Sequence, residues 1–103
     1  MRRFIALGMI CLSPFVLAEQ TAKELLYIQS LAATCANCHG TAGAGVAGGS
    51  VPRLAGLNRE YFVEQMSAFK SGARQATIMH QLAKGFTAAQ IDALAVYFSK
   101  QPR

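Results

Sequence analysis

Charge is scarce in this chain: 15% of its 103 residues are Asp, Glu, Lys or Arg, while 52% are hydrophobic. That balance excludes an intrinsically disordered chain, which carries too little apolar surface for its charge to collapse. The length leaves no room for a two-domain enzyme. Runs of alternating apolar and polar residues, the mark of a half-buried strand, are missing, and so is any internal repeat, so the fold is expected to be all-α. Acidic residues are few, five against ten basic ones, a formal charge of +5. Cysteines number three, and where they and the basic residues lie decides what each means.

Arg2 and Arg3 stand ahead of an uncharged run from Phe4 to Leu12, followed by Ser13-Pro14, Phe15 to Ala18, and then Glu19. A basic start, an apolar middle and a small-residue end make a secretory signal peptide over residues 1–18, with cleavage expected after Ala18. The apolar stretch falls short of the roughly 20 residues that cross a bilayer and is broken by Ser13-Pro14, so no stable membrane insertion is expected after its removal. A periplasmic location follows. Cys11 lies inside the leader with no small residue just before it and reads as filler. The remainder, residues 19–103, is one domain of 85 residues with a net charge of only +3 and two cysteines, Cys35 and Cys38. No basic stripe with interleaved aromatics survives in it, which argues against nucleic acid as a partner.

Leu25, Ile28 and Ala32 recur at helical spacing between Ala22 and Ala33 and lead on to Cys35 and His39, so a first helix should deliver those two residues. Five of the nine glycines fall between Gly40 and Gly49, which no regular element tolerates. This loop is expected to wrap against something, because a domain so short has few residues to spare. Val51 to Leu57 should form a buried turn around Pro52. Asn58 can cap a helix that buries Phe62, Met66 and Phe69 and stops at Gly72. Thr87 and Gln90 resemble a capping box ahead of a last helix with Ile91, Leu94, Ala95 and Phe98 on its apolar face. The pattern does not fix a conformation for Ile78 to Leu82.

The chemistry resides in Cys35-Ala36-Asn37-Cys38-His39. Two thiols at this spacing can add to the two vinyl groups of one haem while the following imidazole reaches the iron, the arrangement of c-type attachment. A thioredoxin-type redox pair would need a βαβ setting, and a zinc site two further ligands, for which only His80 is at hand. A covalent haem would also give the apolar helix faces a shared surface to bury. The sixth iron position decides what such a haem does. Met66 lies on the stripe with Phe62 and Phe69, where a core role suffices. Met79, between the last two helical patterns, is the candidate distal ligand, with the adjacent His80 as its rival for a bis-histidine site.

These residues resemble the small single-haem class I cytochromes c. The resemblance covers the motif with Gly40, the glycine loop, Val51 to Leu57, Tyr61 to Phe69 and Ile91 to Phe98. More narrowly, Phe69 to Arg74, Thr77-Ile78-Met79 and Ala83 to Thr87 look like the haem domain of flavocytochrome c sulfide dehydrogenase. The resemblance implies an all-α cytochrome c fold wrapped around one haem c, thioether bonds at Cys35 and Cys38, His39 as proximal and Met79 as distal ligand, and the Pro52 carbonyl as acceptor for the other His39 nitrogen. It implies single-electron transfer, not catalysis by this chain, with a flavoprotein sulfide dehydrogenase subunit or another redox protein as partner. Lys70, Arg74 and Lys84 are candidate docking charges. Two other readings stay open: a free-standing carrier between a periplasmic donor and an oxidase or reductase, and an open-coordination haem enzyme or gas sensor.

Overall fold

The structure, a computed structural model, describes residues 14–103, with side chains from residue 21 onward. The expected leader lies outside them except for its last residues, whose backbone opens the first helix, and Cys11 lies outside them altogether. Helix α1 spans Pro14–His39, α2 Arg59–Ser71, α3 Met79–Ala83 and α4 Ala88–Ser99, with a 3₁₀ turn at Thr41–Gly43. Among the described residues there is no strand and no helix long and apolar enough to cross a membrane, in line with the all-α expectation.

Helix α1 is longer than its apolar stripe suggested. It opens at Pro14, ahead of the expected Ala22, and, as expected, delivers Cys35 and Cys38 before ending at His39, so the motif forms its last turn. Leu25, the first member of the expected stripe, is 52% exposed, whereas Ala32 is buried. Only the C-terminal half of the stripe therefore faces the core.

That core consists of Ala32, Phe62, Met66, Ala83, Ile91, Leu94, Ala95 and Phe98, with Cys35 and Met79 among the partly buried side chains packed on it. Met66 takes the filler role its stripe predicted. Helix α2 packs on both α3 and α4, and α1 packs on α4. Side-chain bonds fix where the helices begin. Asn58 accepts from the Tyr61 amide at 2.9 Å, and Gly72 closes α2 in the left-handed region at φ 83°. The capping box at α4 is present, Thr87 accepting from the Gln90 amide and the Gln90 side chain from the Thr87 amide. Gln90 also donates to the Tyr27 hydroxyl at 2.9 Å, tying the start of α4 to α1. Asn58→Ala removes one such cap on an exposed helix start. It should lower stability by about 1 kcal/mol, read as a shift in the denaturant midpoint with the slope unchanged.

Candidate haem-binding site

On the last turn of α1, Cys35 lies beside both Cys38 and His39, three and four residues on, while Cys38 and His39 themselves diverge by about 100°. That explains the spacing: one helical turn spreads two sulfurs and an imidazole over a sector of about 100° on one side of the helix. Cys35 is partly buried and Cys38 exposed, and neither is in a disulfide. Burial pushes the Cys35 thiol above its ordinary value, and the Thr34 hydroxyl beside it draws it down by less. His39 is 7% exposed.

The orientation of the His39 ring is set from 13 residues away. Its Nδ1 lies 2.6 Å from the Pro52 carbonyl oxygen. A carbonyl only accepts, so Nδ1 carries the proton and donates, leaving the Nε2 lone pair free for a metal. The loop that brings Pro52 there depends on its glycines. The Gly43 carbonyl accepts from both the Leu54 and Ala55 amides at 2.9 Å, and the Gly45 amide donates to the His39 carbonyl at 2.7 Å. Gly43, at φ 71°, is packed so tightly that a Cβ there would lie 2.8 Å from the Leu54 Cβ and 2.9 Å from the Phe98 ring. The expected wrapping of the loop holds for Gly40 and Gly43, both buried, but not for residues 46–50, which are exposed.

The turn from Val51 to Leu57 departs from expectation. Only Ala55 in it is buried; Val51, Pro52 and Arg53 are exposed. The physical reason is that this segment packs on α4 through its second half, where the Gly56 amide donates to the Phe98 carbonyl at 2.8 Å, while its first half faces outward beside His39.

The segment for which the sequence pattern assigned no conformation is helix α3. Met79 is its first residue and packs on the same core as Cys35, and Ala83 at its far end is fully buried. Met79 thus does have packing partners, which its lack of a helical stripe did not reveal. His80 follows it, half-buried.

Four large aliphatic side chains stand out of the core on the segments flanking Pro52 and Met79. Val46 is 53% exposed, Val51 41%, Ile78 54% and Leu82 47%. Together with two free thiols, a buried imidazole whose free nitrogen is Nε2, and a thioether on a separate element, these are the donors and the apolar cover that a haem requires. The residues present fit the group.

Sequence reasoning missed the structural part of this site: Gly43 as the acceptor that holds the Pro52 segment, and Gly40, at φ 83°, where a Cβ would lie 2.2 Å from the Gly45 carbonyl oxygen. The clustering of glycines was the available signal. It marked a loop without saying which glycines the packing demanded.

Fold and motif together define a small all-α protein built to carry one covalently held haem. The cytochrome c family model matches residues 26–101, and the chain belongs to the cytochrome c family. Its cofactor is haem c, which Cys35 and Cys38 are spaced to hold. A cytochrome of this kind transfers electrons. Among its relatives, the thiosulfate dehydrogenase electron acceptor of Thiomonas intermedia is 46% identical over 69 residues, 67% of this chain and 32% of that one. The cytochrome subunit of sulfide dehydrogenase of Chlorobaculum tepidum is 38% identical over 68 residues, 66% of this chain and 60% of the relative. A solved structure of Acidithiobacillus ferrooxidans cytochrome c4 superposes with a TM-score of 0.59 at 43% identity, covering 63% of this chain and 37% of that one. The chain spans about a third of the length of the first of these relatives.

Proposed function

We propose that this cytochrome accepts single electrons in the periplasm from a dehydrogenase that oxidises a reduced inorganic sulfur compound. The observation that carries the reading is that Met79, a thioether donor on a separate element, packs on the same core as Cys35 of the motif. A His/Met pair closes the coordination shell, raises the potential and leaves the iron to cycle between ferric and ferrous states. In this reading Cys35 and Cys38 would hold the haem, His39 would ligate through Nε2 with its ring fixed by the Pro52 carbonyl, and Met79 would supply the thioether sulfur. An open-coordination enzyme or sensor would need that sixth position free.

Sulfide is the first substrate for the donor, from the segments resembling the flavocytochrome haem domain and from the similarity to the sulfide dehydrogenase subunit. The similarity to a thiosulfate dehydrogenase electron acceptor supports thiosulfate as the second. Two of the three candidate docking charges have contacts within the chain. Lys70 donates to the Phe86 carbonyl, and the Arg74 guanidinium sits 4.6 Å from the centre of the Phe69 ring. Purification from the native source tests the partner. A flavin-containing subunit should co-elute, and sulfide should reduce the cytochrome only in its presence. A monomer reduced by neither sulfide nor thiosulfate with its co-eluting proteins would leave the free-standing carrier. The rate of reduction should fall with ionic strength, and an insensitive rate would remove Lys70, Arg74 and Lys84 from the docking role.

A further inference from the structure

Lys70, on the last turn of α2, donates to the Phe86 carbonyl, 16 residues further along the chain. It shares a groove between α2 and α4 with Val63, Ala88 and Ile91, and its ammonium ends on the turn that follows α3. That turn is itself closed on α3. The Gly85 amide donates to the Leu82 carbonyl at 3.1 Å, and the Phe86 amide donates to the Ala83 carbonyl at 3.2 Å. Phe86 therefore has its amide bonded to α3 and its carbonyl bonded to α2, with Lys70 as the donor that joins the two helices. A fastening matters at this end of α3 because the other end has none. The start of α3 carries no side-chain cap, and Gln75, Ala76 and Thr77, which lead into it, make no hydrogen bond among the described residues. Five residues do not hold a helix by local preference. Packing of Ala83 and Met79 on the core and the Lys70 bond just beyond are what hold this one.

We propose that Lys70 is a positioning residue for Met79: by tying the turn after α3 to α2, it fixes where the thioether sulfur stands. The inference rests on the reading of Met79 as distal ligand given above. Five helical residues span only about 7 Å, so α3 moves as one body, and slack at Phe86 is passed on to Met79. Lys70 acts here through a bond to a neutral carbonyl and not through its field. Added salt, which weakens docking charges, should therefore leave this role intact.

The test is a urea titration of the ferric holoprotein, in which the far-red absorption band of a Met sulfur on iron reports ligation and circular dichroism reports the helices. Lys70→Met keeps an unbranched side chain and loses the donor. At urea concentrations below the unfolding of the helices it should raise the fraction of protein without the band about two- to tenfold, the effect of one hydrogen bond of ordinary net worth. The helicity midpoint should move by much less. Lys70→Arg retains a donor and should restore the wild-type band. Lys84→Met removes the same charge from the turn itself, where the Lys84 side chain makes no hydrogen bond or ion pair among the described residues, and should leave the band midpoint in place. Without urea, amide hydrogen exchange at Gly85 and Phe86 should quicken by a similar factor in Lys70→Met alone.

Band and helicity falling together in Lys70→Met, a band that arginine does not restore, an equal loss from Lys84→Met, or unchanged exchange at Gly85 and Phe86 overturns the proposal while leaving Met79 as ligand. A wild-type holoprotein without the far-red band, or an unchanged band in Met79→Ala, overturns the Met79 reading itself.

Discussion

A Cys35→Ser, Cys38→Ser double variant is expected to yield a colourless chain with no porphyrin retained after acid extraction and no mass increment from haem. Covalent occupancy should drop from one haem per chain to none, the largest effect any pair of substitutions can have here. The argument is chemical first. A thioether forms when a thiol adds to a vinyl group, and a hydroxyl does not do so under the same conditions, so serine preserves size and polarity while removing the reaction. Each single variant keeps one sulfur and should keep a proportion of the haem through one bond. The consequence for folding is physical. Val46, Val51, Ile78 and Leu82 project from the core, and a chain this small has little other apolar surface with which to offset its conformational entropy. The double variant should therefore show a weaker, less cooperative thermal transition by circular dichroism. Haem recovered in stoichiometric amount from the denatured double variant would show that attachment does not run through these sulfurs.

Much of this site was legible in the residues, for reasons that differ from part to part. Cys35, Cys38 and His39 are legible because their chemistry depends on spacing along the chain, which folding cannot alter. The start of α4 is legible because a capping box is a local bond between Thr87 and Gln90. Helix α3 was not legible. Five residues without a cap carry too little local preference to declare themselves, and what makes them helical is Ala83 buried under α2, a tertiary cause. The Val51 to Leu57 turn misled for a related reason. Its apolar composition suggested burial throughout, but an apolar residue beside a cofactor site can stand exposed until the cofactor covers it. The Pro52 carbonyl entered through resemblance to a family and not through any pattern in the residues. The double hydrogen bond to the Gly43 carbonyl that supports that segment could not be read from glycine spacing at all.

The sharpest contrast between pattern and packing is the pair Phe98 and Leu25, both placed on apolar helical stripes by the sequence. Phe98 is completely buried. Its ring centre lies 5.7 Å from that of Phe62 and 5.2 Å, edge to face, from that of Tyr97. Its carbonyl accepts the Gly56 amide, and its ring closes the pocket around Gly43. Phe98→Ala should cost about 3–5 kcal/mol, the usual range for a buried aromatic truncated in a core that relaxes only partly. For a domain of this size that corresponds to a fall in melting temperature on the order of 15–30 °C, a large share of a typical total stability of about 5–15 kcal/mol. The loss should extend to the site. The cavity removes the wall against which Gly43 packs, Gly43 holds the Pro52 segment, and Pro52 orients His39. The variant should therefore lose the far-red band at a lower denaturant concentration than it loses helicity. Leu25→Ala, by contrast, changes a side chain already half in water and should shift the melting temperature by no more than about 2–4 °C, within the range of ordinary surface substitutions. Differential scanning calorimetry of the two holoproteins decides the matter. Equal shifts would mean that Leu25 belongs to the core and that α1 packs along its whole apolar stripe, as the periodicity alone implied.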